Sequence, residues 1–289
     1  MPKILVHVHL YYQEMWPELK ACLQNITAEY DLFVTMVEDK AELRADILTF
    51  SPEAKINIVP NKGFDIAPFI DVLNKVDLTK YDYIIKLHTK RDMPKGTLRN
   101  GFDVSGNKWR EYLLMFLRNQ KTFEKCLSAF SQDKTLGMIA DYHLIVKNDR
   151  KNEEAVRKAQ ELLTSLKLQT KDNRYVMGTM FMARAKLFEP IKKLNLNFDD
   201  FSSSVRGEDI LPYALECLLG YVVCVQAYKI LDPLHVFLYQ SFAKIFAKIS
   251  TFIYRKKIKS DGQTIIKICK VPLLSIVKMK KEEKINAGC

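Results

Sequence analysis

The sequence predicts an α/β fold with a mostly parallel sheet flanked by helices, and three observations predict it. Short runs rich in Val, Ile and Leu alternate with segments of helical spacing through the N-terminal part of the chain. Turn residues such as Pro60 and Gly63 separate the runs. The densest polar clusters, Asn61 to Phe69 and Tyr81 to Asp92, fall at strand ends, where open α/β sheets gather ligands.

Ile4 to Leu10 alternates aliphatic residues with His7 and His9 and reads as the first strand, followed by a helix through Trp16 and Pro17 toward Ile26. Asp31 to Val37 is a second strand, Lys40 to Phe50 a helix, and Lys55 to Val59 a strand that stops at Pro60. The Gly63 cluster opens a helix through Leu73, and Tyr83 to Leu87 is a fourth strand. Met93 to Asn107 is a polar loop with three glycines, suited to a lid. Trp109 to Phe130 reads as one helix, Leu136 to Ala140 as a buried strand, and Glu153 to Leu168 as an exposed helix. Tyr175 to Ala183 is a strand interrupted by Gly178, and Pro190 to Leu196 is helix or turn. Arg206 to Pro212 introduces a helix through Leu219, and Tyr221 to Gln226 reads as a last strand.

With 48% hydrophobic and 27% charged residues in 289, the composition is that of a globular protein with one large domain and an appendage, or two domains. Met1-Pro2-Lys3 leads straight into the first strand without an apolar signal region, and no window suits a membrane-spanning helix. Six cysteines without CxxC pairs or zinc-like spacing read as reduced thiols, so a cytoplasmic setting is expected. The net charge of +11 is concentrated: residues 241–289 hold 12 Lys/Arg against 3 Asp/Glu.

Two clusters carry the chemistry. In the first, Gly63 can take a positive φ or let a ligand approach the backbone, with Lys62 beside it as ligand contact or solvated surface. Asp65 can either cap the following helix or accept hydrogen bonds from a sugar or ribose hydroxyl. In the second, a buried strand runs into His88, Thr89, Lys90 and Arg91, groups able to bind phosphate oxygens and offset charge on a leaving diphosphate. His7 and His9 point to one side of the first strand, with His7 suited to the core and His9, nearer the end, to a nucleotide. Gly178 and Thr179 stand where backbone and ligand can approach closely, or where a packing glycine is needed. Asp141, Tyr142 and His143 follow a buried strand and can face the same cleft.

The His-bearing first strand, Gly63-Phe64-Asp65-Ile66-Ala67-Pro68-Phe69 and Lys86-Leu87-His88-Thr89-Lys90 together resemble the rhamnan synthesis protein F family of bacterial polysaccharide glycosyltransferases, from about Ile4 to Pro233. Phe64 departs from the Gly-Arg-Asp-Ile pattern expected there, and Met182 stands where an aromatic is common. The resemblance implies a GT-A-like, Rossmann-type domain over residues 1–235, with a donor half to about 145 and an acceptor half from about 146. It implies a nucleotide-sugar donor, with dTDP-L-rhamnose as one candidate, and a lipid-linked glycan acceptor of lipopolysaccharide or O-antigen type. Polysaccharide-assembly proteins follow as possible partners. Where many such enzymes carry Asp-x-Asp for Mg²⁺ or Mn²⁺, this chain reads His88-Thr89-Lys90, a poor set for a hard cation. No metal is therefore expected, with His88 and Lys90 in its place. Asp92 and His235 are weak alternatives as ligands. The same resemblance calls for a carboxylate base on the acceptor side, and Gly207-Glu208-Asp209 offers one at a helix start, Asp209 favoured over Glu208. Glu216, two helical turns beyond Asp209, is expected to touch acceptor or base, or to be a buried structural partner.

Residues 236–289 read as a basic amphipathic tail. Phe242, Ile245, Phe246, Ile249, Phe252 and Ile253 follow helical spacing, and a second apolar set from Ile265 to Val277 precedes four lysines. Such a tail suits the inner face of a bacterial membrane rich in anionic lipid. Nothing in it matches a nucleic-acid-binding module. Two other classes compete: a non-catalytic nucleotide-binding module of polysaccharide assembly, and a membrane adaptor.

Overall fold

The computed structural model describes residues 2–97, 102–147, 153–202 and 209–235, together with the backbone of 254–258, 264–268 and 271–276. Residues 1–234 and 235–289 form separate compact units.

The first unit is built on a seven-stranded sheet. Its strands are β1 (Lys3–Leu10), β2 (Glu29–Met36), β3 (Lys55–Ile58), β4 (Tyr83–His88), β5 (Leu136–Ile139), β8 (Phe181–Arg184) and β9 (Lys229–Leu231), in the order β3-β2-β1-β4-β8-β5-β9. The pairs β3·β2, β2·β1, β1·β4 and β5·β9 are parallel, while β8 runs antiparallel to both neighbours. A short antiparallel ladder, β6 (Ile145–Val146) with β7 (Tyr175–Val176), stands outside this sheet. The expected α/β class is therefore what the chain adopts. β1 and β4 are buried almost throughout, as central parallel strands covered on both faces must be.

Helices α1 (Trp16–Leu23), α2 (Ala41–Phe50) and α3 (Ile66–Lys75) link the first four strands as crossovers. α3 buries Ile66 to Ile70, Val72 and Leu73 and packs on β1 and on the two later helices α7 (Glu189–Lys192) and α8 (Leu211–Val225). The single helix expected from Trp109 to Phe130 is broken into α4 (Lys108–Leu113), a 3₁₀ turn and α5 (Gln120–Gln132). The break has a local cause: the Asn119 side chain accepts the Thr122 amide at 2.9 Å and starts α5 afresh. α6 (Glu153–Ser165) is exposed on one side only, burying Ala155, Ala159 and Leu163 toward α8.

The strand expected at Tyr221 to Gln226 is instead the end of α8. Ten of its residues from Ala214 to Cys224 are buried around the whole circumference, so the segment shows no amphipathic period, and Val222 and Val223 mimic a strand. The last strand lies just beyond, at β9.

In the second unit, Phe242 to Ile253, the segment read as an amphipathic helix, lies outside the described residues. The expectation of a helical tail fails at the second apolar set. Three strands, β10 (Tyr254–Ile258), β11 (Thr264–Ile268) and β12 (Val271–Ile276), pair there as an antiparallel sheet. β11 is dense in β-branched residues, Thr264, Ile265, Ile266 and Ile268, whose restricted side chains favour the pleated chain.

Candidate functional site

Register brings the polar residues together. In the parallel pair β1·β4, His7 stands opposite Lys86 and His9 opposite His88, so both strands deliver polar groups at their carboxyl ends. Antiparallel β8 sets Phe181 opposite Lys86, which carries Thr179, two residues earlier, back over the end of β4. Gly63 and Phe64 take left-handed φ values of 64° and 55°, turning the chain so that Asp65 enters from the start of α3. The Gly63 conformation also serves packing, since a Cβ there would lie 2.5 Å from the Phe201 ring.

Asp65 is the hub. It forms an ion pair with the fully buried Lys86, accepts the Thr179 hydroxyl at 2.5 Å, and lies 3.3 Å from His88 Nδ1. Lys86 also donates to Thr179 Oγ1 at 2.8 Å. Asp65 thus does not cap α3 with its side chain. Burial disfavours its charge, but His88, the Lys86 ammonium and the hydrogen bonds overcome this and hold its carboxyl well below the usual range. Burial likewise brings Lys86 below the ordinary lysine value, against the pull of Asp65. Lys86, fully buried behind the clefts, is the partner of Asp65 that sequence reasoning passed over. Its signal was visible: a lysine inside Ile84-Ile85-Lys86-Leu87 needs a buried acid.

Burial keeps His7, His9 and His88 neutral at pH 7. Burial lowers His9 to about 4 and His88 to about 3, with Lys86 adding to the effect. His88 is therefore a neutral imidazole at pH 7, its Nδ1 close to Asp65. His9 Nδ1 and His7 Nε2 both meet the Thr35 hydroxyl, at 3.0 and 2.9 Å. His7 belongs to the core, stacked on Phe69.

Two clefts open beside this hub. The first, about 330 Å³, is lined by His9, Tyr11, Tyr12, Asn61, Thr89 and Arg91. The second, about 340 Å³, is lined by Trp109, Tyr175, Met177, Gly178, Thr179, Tyr213 and Glu216. Phe64, Asp65, His88 and Lys90 line both. Arg91 is held by Glu14 at 2.6 Å and lies over the Tyr12 ring, and the Lys90 ammonium sits 5.3 Å from the Trp109 ring centre. The Thr89 hydroxyl accepts the Tyr12 amide at 2.9 Å.

Glu216 accepts the Gly178 amide at 2.6 Å. Burial pushes its carboxyl up to about 7; the Gly178 hydrogen bond opposes this, the Asp65 charge reinforces it, and Lys90 and Lys86 oppose it. A carboxyl so placed exchanges a proton near neutrality, as a general base must.

The other expected residues lie apart from these clefts. Asp209 accepts the Ser202 and Leu211 amides, both at 2.9 Å, so its two oxygens tie the chain at the start of α8. Glu208 lies outside the described residues. Lys62 faces Asp199 at 4.0 Å. Asp141 takes His143 Nδ1 at 2.5 Å and the His143 amide at 2.9 Å, a local turn contact. Asp92 pairs with Arg110. Neither described cleft includes Lys62, Gly63, Asp141 or Asp209.

The donor set does not fit Mg²⁺ or Mn²⁺. The carboxylates lining the two clefts are Asp65, already engaged by Lys86 and Thr179, and Glu216, held by an amide. Among the described residues no group of three His, Cys, Asp or Glu converges at metal-ligand spacing.

The sequence profile described as "Rhamnan synthesis protein F" matches residues 1–228. Two proteins of Xanthomonas campestris pv. campestris, from strains B100 and ATCC 33913 and both described as "Uncharacterized protein WxcX", are each 25% identical over 238 residues, 79% of this chain and 32% of theirs. The chain thus spans about a third of the length of the curated relatives it matches. Among solved structures, S. aureus TarS 1–349 in complex with UDP-GlcNAc is similar with a TM-score of 0.41 and 12% identity, over 75% of this chain and 53% of that one. TarS 1–349 alone gives 0.39 and 11%, over 74% and 56%.

Proposed function

The chain belongs to the rhamnan synthesis protein F family, and from that premise we propose that it is a glycosyltransferase: a nucleoside-diphosphate sugar fills the first cleft and a glycan hydroxyl enters from the second. One observation carries the reading. The two clefts meet at Phe64, Asp65, His88 and Lys90, with Arg91 on the first side and Glu216, its carboxyl raised to about 7, on the second.

In this reading, Lys90 and Arg91 meet the diphosphate oxygens, and His9, His88 and Thr89 supply neutral polar contacts. The acceptor oxygen attacks the anomeric carbon while Glu216 takes the hydroxyl proton. The bond from C1 to the diphosphate oxygen breaks, its electron pair leaves with the diphosphate, and the configuration inverts. Asp209 was the expected base, but both its oxygens accept backbone amides and it lines neither cleft, whereas Glu216 lines the second with one oxygen so engaged, and we assign that role to Glu216. Phe64, Trp109, Tyr175 and Tyr213 offer the aromatic surface that suits a sugar ring. L-Rhamnose is the sugar we favour, with a lipid-linked surface polysaccharide as acceptor. The phosphate-facing cations stand where a metal would otherwise act, so transfer should proceed equally in EDTA and in Mg²⁺. Activity that vanishes in EDTA and returns with Mg²⁺ or Mn²⁺ would remove the metal-free mechanism.

No helix among the described residues is long and apolar enough to cross a membrane. We place the enzyme at the inner membrane surface through the basic residues of 241–289, at about 1 kcal/mol per well-placed Lys or Arg. Truncation after Leu234, where the first compact unit ends, should abolish retention on anionic liposomes. Retention by the truncated protein would defeat that assignment.

A further inference from the structure

The Gly178–Thr179 turn touches the site in an unexpected way. Read from sequence as a place of ligand approach or a packing glycine, it lines the second cleft and also holds both cleft acids. The Gly178 amide donates to Glu216 at 2.6 Å, and the Thr179 hydroxyl donates to Asp65 at 2.5 Å while accepting from Lys86 at 2.8 Å. These acids come from distant elements, Asp65 from the start of α3 and Glu216 from the middle of α8. The turn between β7 and β8 links them.

Its backbone is unusual. Gly178 has φ 81°, and Thr179, a β-branched residue, has φ 51°. A branched side chain in the left-handed region is held there only by its surroundings. Here they are the Asp65 and Lys86 bonds, which require a hydroxyl rather than the conformational ease of glycine. Gly178 in turn must lack a side chain: a Cβ would lie 2.8 Å from Leu113 and 3.3 Å from Trp109 Nε1. Thr179 is buried, so its hydroxyl is committed to Asp65 and Lys86.

We propose that Gly178 and Thr179 are positioning residues, whose turn fixes Asp65 in the wall common to both clefts and Glu216 in the second, and so sets the proton affinity of the Glu216 carboxylate. The inference rests on the glycosyltransferase reading for its catalytic meaning, but not for its test.

The test uses the full chain with ¹³C-carboxyl-labelled glutamate, the Glu216 signal being identified by its loss in Glu216→Gln. Its NMR titration midpoint in the unsubstituted protein is expected near 7. In Gly178→Ala the amide is pushed away and the midpoint should rise by about one pH unit, a tenfold change in proton affinity. Thr179→Val, which removes the hydroxyl and keeps the branch, should also raise it. Thr179→Ser, which keeps the hydroxyl, should leave it unchanged, and this pair decides the matter if Gly178→Ala does not fold. An unchanged midpoint in Thr179→Val, or equal shifts in the Ser and Val variants, would overturn the proposal. The titration involves no sugar transfer. Shifted midpoints in a protein that transfers nothing would therefore sink the proposed function and leave the positioning role standing.

Discussion

Glu216→Gln should lower turnover by roughly 10²- to 10⁴-fold, the usual contribution of a general base, while leaving donor affinity within a few-fold. The amide is nearly the same size and can still accept from Gly178, so the fold should survive, but it cannot take a proton. The unsubstituted enzyme carries the matching pH signature. With the carboxyl raised to about 7, activity should climb through pH 6 to 8 as the base ionises, and the Gln variant should lose that limb. Stability should run the other way. A carboxyl raised on folding stabilises fully below its unfolded value near 4.5, and the benefit is lost as pH rises through 7. Steady-state rates and thermal midpoints across that range test both. Near-normal turnover in a folded Glu216→Gln protein would return the base to Asp209 or Glu208.

Lys86→Met should be the most destabilising single change in the site. Removing one member of a buried pair leaves a charge without its partner, at about 3–5 kcal/mol. The lower end applies here, because the Asp65 side chain keeps 20% of its exposure and water screens part of the loss. At roughly 2–4 °C per kcal/mol for a domain of this size, the melting temperature should fall by about 6–12 °C. The double variant Lys86→Met with Asp65→Leu should recover much of that stability, since it removes the orphaned charge, yet remain inactive. A single variant as stable as the parent would mean that the pair contributes nothing to the fold. An active double variant would place both residues outside the chemistry.

The strands that reach the site were legible because apolar β1 and β4 end abruptly in His9 and His88. The clusters at Asp65 and at His88 to Arg91 were legible for the same reason, as polar groups at strand ends. What the sequence hid depends on distant pairing. Asp65 reads locally as a cap, and only the register of β4 with β8 reveals Lys86 and Thr179 as its partners. Asp209 reads as a base because it precedes a helix; three-dimensional structure shows its oxygens bound to Ser202 and Leu211. Glu216 was found by helical spacing, but its raised proton affinity comes from burial, which spacing does not encode. The end of α8 was misread because burial on every side erases amphipathic periodicity.

The first cleft should bind a nucleoside-diphosphate sugar through Lys90 and Arg91, without a metal. Calorimetric titration of dTDP-, UDP- and GDP-sugars in EDTA, run on the unsubstituted protein and on Lys90→Ala, measures that binding. Saturable binding of at least one donor is expected, with a loss of about tenfold or more in the variant, as befits a charge-assisted phosphate contact. Folded protein that binds none of them, or binds one equally well without Lys90, would contradict it.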